Sequence, residues 1–199
     1  MADRVPLDFA PPVRQLRSLL LGITDDQLGR PTPCPDWTVG DLLDHLAGLS
    51  RAFTQAAQKR FDAPDGPPPE PSAAHLSAQW RSRLPVVLED LAIAWRSPTA
   101  WEGTARAGGV TMPATEMGLV AVNELTMHGW DLARATGQEY AADPRLLEPL
   151  IEFLSQGPPE GTPGMFGPVV QIESEAELLD QAVSLAGRNP RWRPTTSAH

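Results

Sequence analysis

The sequence predicts an all-α protein: a bundle of four longer helices, with short additional helices towards the C-terminus and room for one small hairpin. Three observations carry this. Apolar residues recur at helical spacing over four long segments. Two of these segments carry helix start or stop residues, Thr38 with Asp41 at one and Pro113 with Gly137 at the other. Extended-type sequence is confined to two short stretches.

The first helix is expected from about Pro12 to Gly22, with Val13, Leu16, Leu19 and Leu20 inward. The prolines of the loop from Gly29 to Trp37 forbid regular structure. Thr38 is placed to be the N-cap of the second helix, with Asp41 at N3 in a variant of the capping box. Leu42, Leu46, Leu49, Phe53 and Ala56 form its stripe, and its end is expected near Asp62. A stiff proline-rich connection follows from Ala63 to Ser72, and Ser72 is expected to cap a third helix reaching Trp95, kinked at Pro85. Gly- and Thr-rich residues 97–111 suit a short hairpin. The fourth helix should begin at Pro113 and stop at Gly137. Beyond it come a short helix from Pro144 to Ser155, a Gly/Pro loop from Gly157 to Pro168, and an extended piece from Val169 to Ile172. A last helix from Glu175 to Ala186 precedes a loose tail from Arg188.

At 199 residues and 41% hydrophobic content, one domain spanning 1–199 with a substantial core is expected. A net charge of −9 argues against a nucleic-acid partner, which would call for a basic face. The longest apolar run near the N-terminus, Leu19-Leu20-Leu21, is far too short to cross a bilayer. No basic stretch followed by an apolar run marks a secretory signal, and the single Cys34 permits no internal disulfide. The expected location is the cytoplasm.

Chemistry is concentrated in two helical stretches that carry histidine among apolar residues. His45 lies on the apolar side of Asp41-Leu-Leu-Asp-His-Leu. In the fourth helix Glu124 and His128 are four apart, so they share a face with Met117, Ala121, Leu132 and Ala135. A buried, unpartnered carboxylate is costly, and a cation removes that cost. Two imidazoles and a carboxylate are a ligand set for zinc or ferrous iron. A histidine on an apolar face is more often a hydrogen-bonded core residue, and the residues alone leave both readings open. Three ligands would leave an open position, as in a catalytic site.

Other residues carry weaker signals. His75 and His199 read as solvated, and Asp44 as exposed. Cys34 precedes a helix N-terminus, which can activate a thiol, but its flanking prolines point to a shape-determining loop residue dispensable for chemistry. Asp131 is placed either to orient His128 or to lie solvated. Trp37, Trp80, Trp95 and Trp130 read as core or pocket wall, with the loops Arg30–Asp36 and Gly157–Pro168 as a pocket rim.

Pro33-Cys-Pro-Asp-Trp-Thr-Val-Gly-Asp-Leu-Leu-Asp-His45-Leu and Glu124-Leu-Thr-Met-His128-Gly-Trp-Asp-Leu-Ala-Arg-Ala-Thr-Gly137 resemble the paired signatures of the mycothiol-dependent maleylpyruvate isomerase-like proteins, a branch of the DinB-like metalloprotein superfamily. Gly187-Arg-Asn-Pro-Arg-Trp192 resembles the ending of an actinobacterial-type subfamily without an assigned activity. The resemblance implies a DinB-like four-helix bundle holding a divalent metal through His45, Glu124 and His128. Zinc is the expected ion, with nickel or ferrous iron as alternatives, and mycothiol is the implied thiol cofactor. The isomerase carries a further C-terminal domain, for which little of this chain remains after the fourth helix. The expected function is a metal-dependent isomerase or transferase using a low-molecular-weight thiol on a small-molecule substrate, with a homodimer as one assembly. The alternatives are a metal-dependent hydrolase and a non-catalytic metal-binding or stress-related bundle.

Overall fold

A computed structural model describes residues 6–60, 69–162, 166–173 and 175–194. Its helices are α1 (Ala10–Gly22), α2 (Val39–Ala57), α3 (Trp80–Trp95), α4 (Ala114–Thr136), α5 (Pro144–Leu154) and α6 (Leu178–Leu185). Two 3-10 turns, Asp25–Gln27 and Pro98–Trp101, and a hairpin of β1 (Thr104–Ala107) and β2 (Val110–Pro113) complete it. The all-α class with a small hairpin is therefore as expected.

In the four-helix bundle, α1 and α2 each pack against both α3 and α4. Leu16, Leu42, Leu46, Leu84, Leu88, Leu91, Met117 and Leu125 fill the space between them. A second apolar cluster lies on the far side of α4. There Met127 and Trp130 meet Leu147 and Leu154 of α5 and Ala182 and Val183 of α6. Helix α4 is consequently the centre of the molecule, with 18 of its 23 residues buried. Its buried Thr126, His128, Asp131 and Thr136 find partners inside the protein, whereas Asn123 Oδ1 and Trp130 Nε1 find none among the described residues.

The start of α2 follows its sequence. Thr38 N and Oγ1 donate to Asp41 Oδ2 at 2.8 and 2.6 Å, and Asp41 N donates back to Thr38 Oγ1 at 3.3 Å. Its end comes earlier than expected. Lys59 adopts φ 56° and Arg60 N donates to Gln55 O, a left-handed closure that stops the helix after Ala57. Asp62 lies outside the described residues.

Helix α3 begins at Trp80, eight residues after Ser72, which corrects the cap expected there. The reason is competition from α2. Ser72 N donates to Asp44 Oδ2 and Ala73 N to Asp41 Oδ1, so this backbone is held as a turn on the side of α2. It passes so close that a Cβ at Gly40 would lie 2.7 Å from that of Ala73.

The hairpin pairs Thr104 with Pro113 through Ala107 with Val110. Gly108 and Gly109 both take positive φ, as a two-residue type I′ turn requires. Helix α4 ends on Gly137 at φ 73°, the expected left-handed stop.

The C-terminal third departs most from expectation. Residues 169–172 form no strand: Val169 N donates to Pro159 O and Val170 N to Ser184 O, so no partner strand is available. Helix α6 is shorter than the span from Glu175 to Ala186. The tail is not loose over its described part. Gly187 turns at φ 80°, Arg188 N donates to Val183 O, Pro190 is buried, and Arg134 donates to Pro190 O. This closure carries Arg188 back towards α4.

Candidate metal centre

The packing of α2 against α4 brings His45 to Glu124 and His128. His45 Nε2 lies 3.3 Å from Glu124 Oε2, and His128 Nε2 lies 3.0 Å from the same oxygen. The two imidazoles meet edge to face with centroids 4.9 Å apart. Ligand atoms in tetrahedral zinc sites, with bonds of about 2.0–2.1 Å, are about 3.3 Å from one another. The donor set and its spacing therefore suit one small divalent cation. His45 and Glu124 are each 23% exposed while His128 is 6% exposed, so the cluster has a solvent side and a buried side.

On the buried side the second nitrogen of His128 is engaged too. Nδ1 donates to Asp131 Oδ2 at 3.0 Å, and Asp131 is fully buried. Arg188 donates through Nε to both Asp131 oxygens, at 3.2 and 3.3 Å, and through a terminal nitrogen to Oδ2 at 3.0 Å. Asp131 thus orients His128, the first of its two expected roles, and Arg188 orients Asp131.

The charges follow from this arrangement. Burial opposes ionisation of Glu124, but the His128 charge and hydrogen bonds from both histidines outweigh it and hold the carboxyl below its usual range. Burial likewise disfavours the imidazolium of His128, yet Glu124, Asp131 and Cys34 together raise its pKa well above the ordinary value. Burial dominates at His45 and lowers it. At Asp131 burial is overcome mainly by Arg188, and the carboxyl is held at about 2. Without an ion, then, His128 is favoured as an imidazolium, its Nδ1 proton donated to Asp131 and its Nε2 proton to Glu124. A divalent cation at the Nε2 side would take that proton's place.

Cys34 corrects an expectation. Its thiol donates to Asp131 Oδ2 at 3.2 Å, lies 3.8 Å from His128 Nδ1, and accepts from Arg188 at 3.4 Å. It is therefore part of the site and not only a loop residue, because the 31–38 loop folds across the buried side of His128. Cys34, His128 and Asp131 form a second grouping of ligand types. The Arg188 guanidinium already occupies that grouping as its cation, so a metal ion fits the triad and not this side.

Asp44 is half-buried, accepting from Ser72 N and lying 3.9 Å from His75, which corrects its expected exposure. His75 itself is exposed as expected, and His199 lies outside the described residues. Trp37 is a wall of the site, its ring 4.8 Å from that of His45 and 6.0 Å from that of His128. Trp80 and Trp95 belong to the bundle core, Trp130 to the second cluster. Of the two expected rim loops, the first reaches the triad through Cys34. Described residues of the second line a separate cavity of about 230 Å³ with α5 and α6, including Phe153, Leu154 and Leu185. Arg188 was missed as a site residue, although its motif was singled out at the chain's end.

Comparison with known proteins gives three findings. A family described as the mycothiol maleylpyruvate isomerase N-terminal domain matches residues 9–133. Two uncharacterized proteins of Mycobacterium tuberculosis, from strains CDC 1551 and H37Rv, are each 30% identical over 180 residues, covering 87% of this chain and 92% of the relative. The crystal structure of the mycothiol-dependent maleylpyruvate isomerase matches at TM-score 0.64 and 22% identity, over 92% of this chain and 88% of that one. A histidine-to-alanine mutant of it matches at TM-score 0.63, again at 22% identity, over 91% and 87%. These two matches bear on the fold. The family match stops at residue 133 while the fold likeness runs over nearly the whole chain, so it extends into the part holding α5 and α6. The likeness covers 88% of the solved isomerase chain, so most of that chain has a structural counterpart here.

Proposed function

The chain belongs to the mycothiol maleylpyruvate isomerase N-terminal domain family, and from that membership and the triad's geometry we propose that it is a divalent-metal enzyme using a low-molecular-weight thiol on a small molecule. One observation carries the metal reading: two imidazole nitrogens, from different helices, meet on a single Glu124 oxygen at a half-open face. His45, Glu124 and His128 would hold the ion, with zinc the best match to two nitrogens and one carboxylate. A bound ion supplies Lewis acidity, lowering the pKa of a thiol or water in its open position. Asp131 keeps the Nδ1 proton of His128, which leaves Nε2 to face the ion, and Arg188 keeps Asp131 ionised. Trp37 packs its ring against both histidines.

The thiol and the isomerase or transferase chemistry come from the family; residues 1–199 are read as one domain working in the cytoplasm. Among the described residues no helix is long and apolar enough to cross a membrane. Metal analysis of protein purified without chelators or an affinity column should find close to one zinc per chain. The cobalt-substituted protein titrated with mycothiol should then show a sulfur-to-metal charge-transfer band. Metal bound without that band at any thiol concentration would favour hydrolysis or a non-catalytic role. Failure to bind zinc, cobalt, nickel or ferrous iron would end the metal reading.

A further inference from the structure

The two candidate ligand histidines are held in different ways. His128 is engaged at both nitrogens, by Glu124 and by Asp131. His45 meets Glu124 through Nε2, and among the described residues no hydrogen bond engages its Nδ1. Metal-bound histidines almost always donate their second nitrogen to a carboxylate, carbonyl or water, which fixes the ring. At His45 the neighbour on the page is instead an indole. The Trp37 ring crosses that of His45 at 54° with centroids 4.8 Å apart, within the range of aromatic ring contacts. It also lies 6.0 Å from His128, so one side chain bears on both imidazoles.

Trp37 is itself fixed by its backbone. Thr32 N and Oγ1 both donate to Trp37 O, at 3.1 and 3.0 Å, Trp37 N donates to Cys34 O, and Pro31 bridges to Thr38. Asp36 before it takes φ 66°, the left-handed turn that closes the loop. Thr38 at the other end is locked into the α2 cap. The loop is thus held at both ends and presents Trp37 to His45 and Cys34 to His128.

We propose that Trp37 is the positioning residue for His45, doing with a ring face what Asp131 does for His128 with a carboxylate. This rests on the metal reading above, and the test separates the two. Three full-length proteins are compared: wild type, W37F and W37L. Zinc affinity is measured by competition with a chromophoric chelator, and the cobalt forms by visible absorption. W37L keeps apolar bulk without a ring face, and its zinc affinity should fall at least about ten-fold, the size expected when an orienting partner is lost. Its cobalt spectrum should change in shape. W37F should stay within about three-fold of wild type with the wild-type spectrum. W37L binding zinc as tightly as wild type with an unchanged spectrum overturns the proposal. A second measurement needs no metal: in the metal-free protein the His45 ring protons should be shifted upfield by the indole ring current in wild type and not in W37L. Absence of that shift in wild type also overturns it. A wild type that binds no metal would sink the metal reading alone, since the ring-current result still decides how Trp37 and His45 stand.

Discussion

His128 is the residue on which the site turns, because each ring nitrogen faces a carboxylate. His128→Ala should abolish zinc binding while the protein stays folded at room temperature, since the bundle core lies elsewhere; a variant unfolded by circular dichroism would make the metal structural instead. The raised pKa of His128 in the metal-free protein has a consequence with a definite sign. The imidazolium must lose a proton before Nε2 can bind an ion, so zinc affinity should weaken as pH falls below that pKa. Calorimetry in buffers of different ionisation enthalpy should show protons released on binding, and equal enthalpies in all buffers would refute it. Cys34→Ser should leave zinc affinity within a few-fold, because a hydroxyl can also donate to Asp131; a loss of about 1000-fold in any activity found would give the thiol a catalytic role. The Glu124–His128 pair was legible in the sequence because helical periodicity is local: four residues place one beside the other, and an apolar stripe announces burial; His45, 79 residues from Glu124, was joined to them by the family resemblance. Cys34 and Arg188 were not legible, since they reach Asp131 across 97 and 57 residues of chain. Only the assembled fold sets such contacts.

At the scale of elements, the same division between local and distant causes holds. The Thr38–Asp41 cap is written within four residues and forms as read. The late start of α3 is not, because the groups that hold residues 72 and 73 away from it belong to α2. Asp41 serves both elements at once, one oxygen for the cap and the other for Ala73 N. Burial raises its pKa, but the hydrogen bonds from Thr38 and Ala73 outweigh this and the folded-state value is lowered. A depressed carboxylate pKa stabilises the fold above the unfolded value of about 3.9 and loses that contribution as pH falls through the folded value. Asp41→Ala should therefore cost about 1 kcal/mol at neutral pH, typical of a lost cap. The difference from wild type should shrink in denaturant titrations at more acidic pH. An equal loss at all pH values would place the effect elsewhere.

Across the whole molecule, α5, α6 and the closing turn act as a cover for α4, and Arg188 is the point where that cover meets the site. Removing it leaves Asp131 charged and fully buried without its main counter-charge. Arg188→Met should destabilise the protein by about 3–5 kcal/mol, the range for one broken partner of a buried pair. The double variant with Asp131→Asn should recover part of that loss. No recovery would mean that Arg188 acts through its packing alone.

Lys59, the sole lysine of the chain, donates from its ammonium to three carbonyls, of Ala100, Glu102 and Thr104. It ties the end of α2 to the strand of the hairpin and the turn before it. The nitrogen must leave these three acceptors before it can present a lone pair to an acylating reagent. With no other side-chain amine present, the rate at which Lys59 is acylated becomes a clock for how often the hairpin lets go of α2. In the native protein that rate should lie far below that of a free lysine and rise to it in denaturant. Mass spectrometry of the 59-containing peptide over a time course would read local opening of this corner directly, with no label built into the protein.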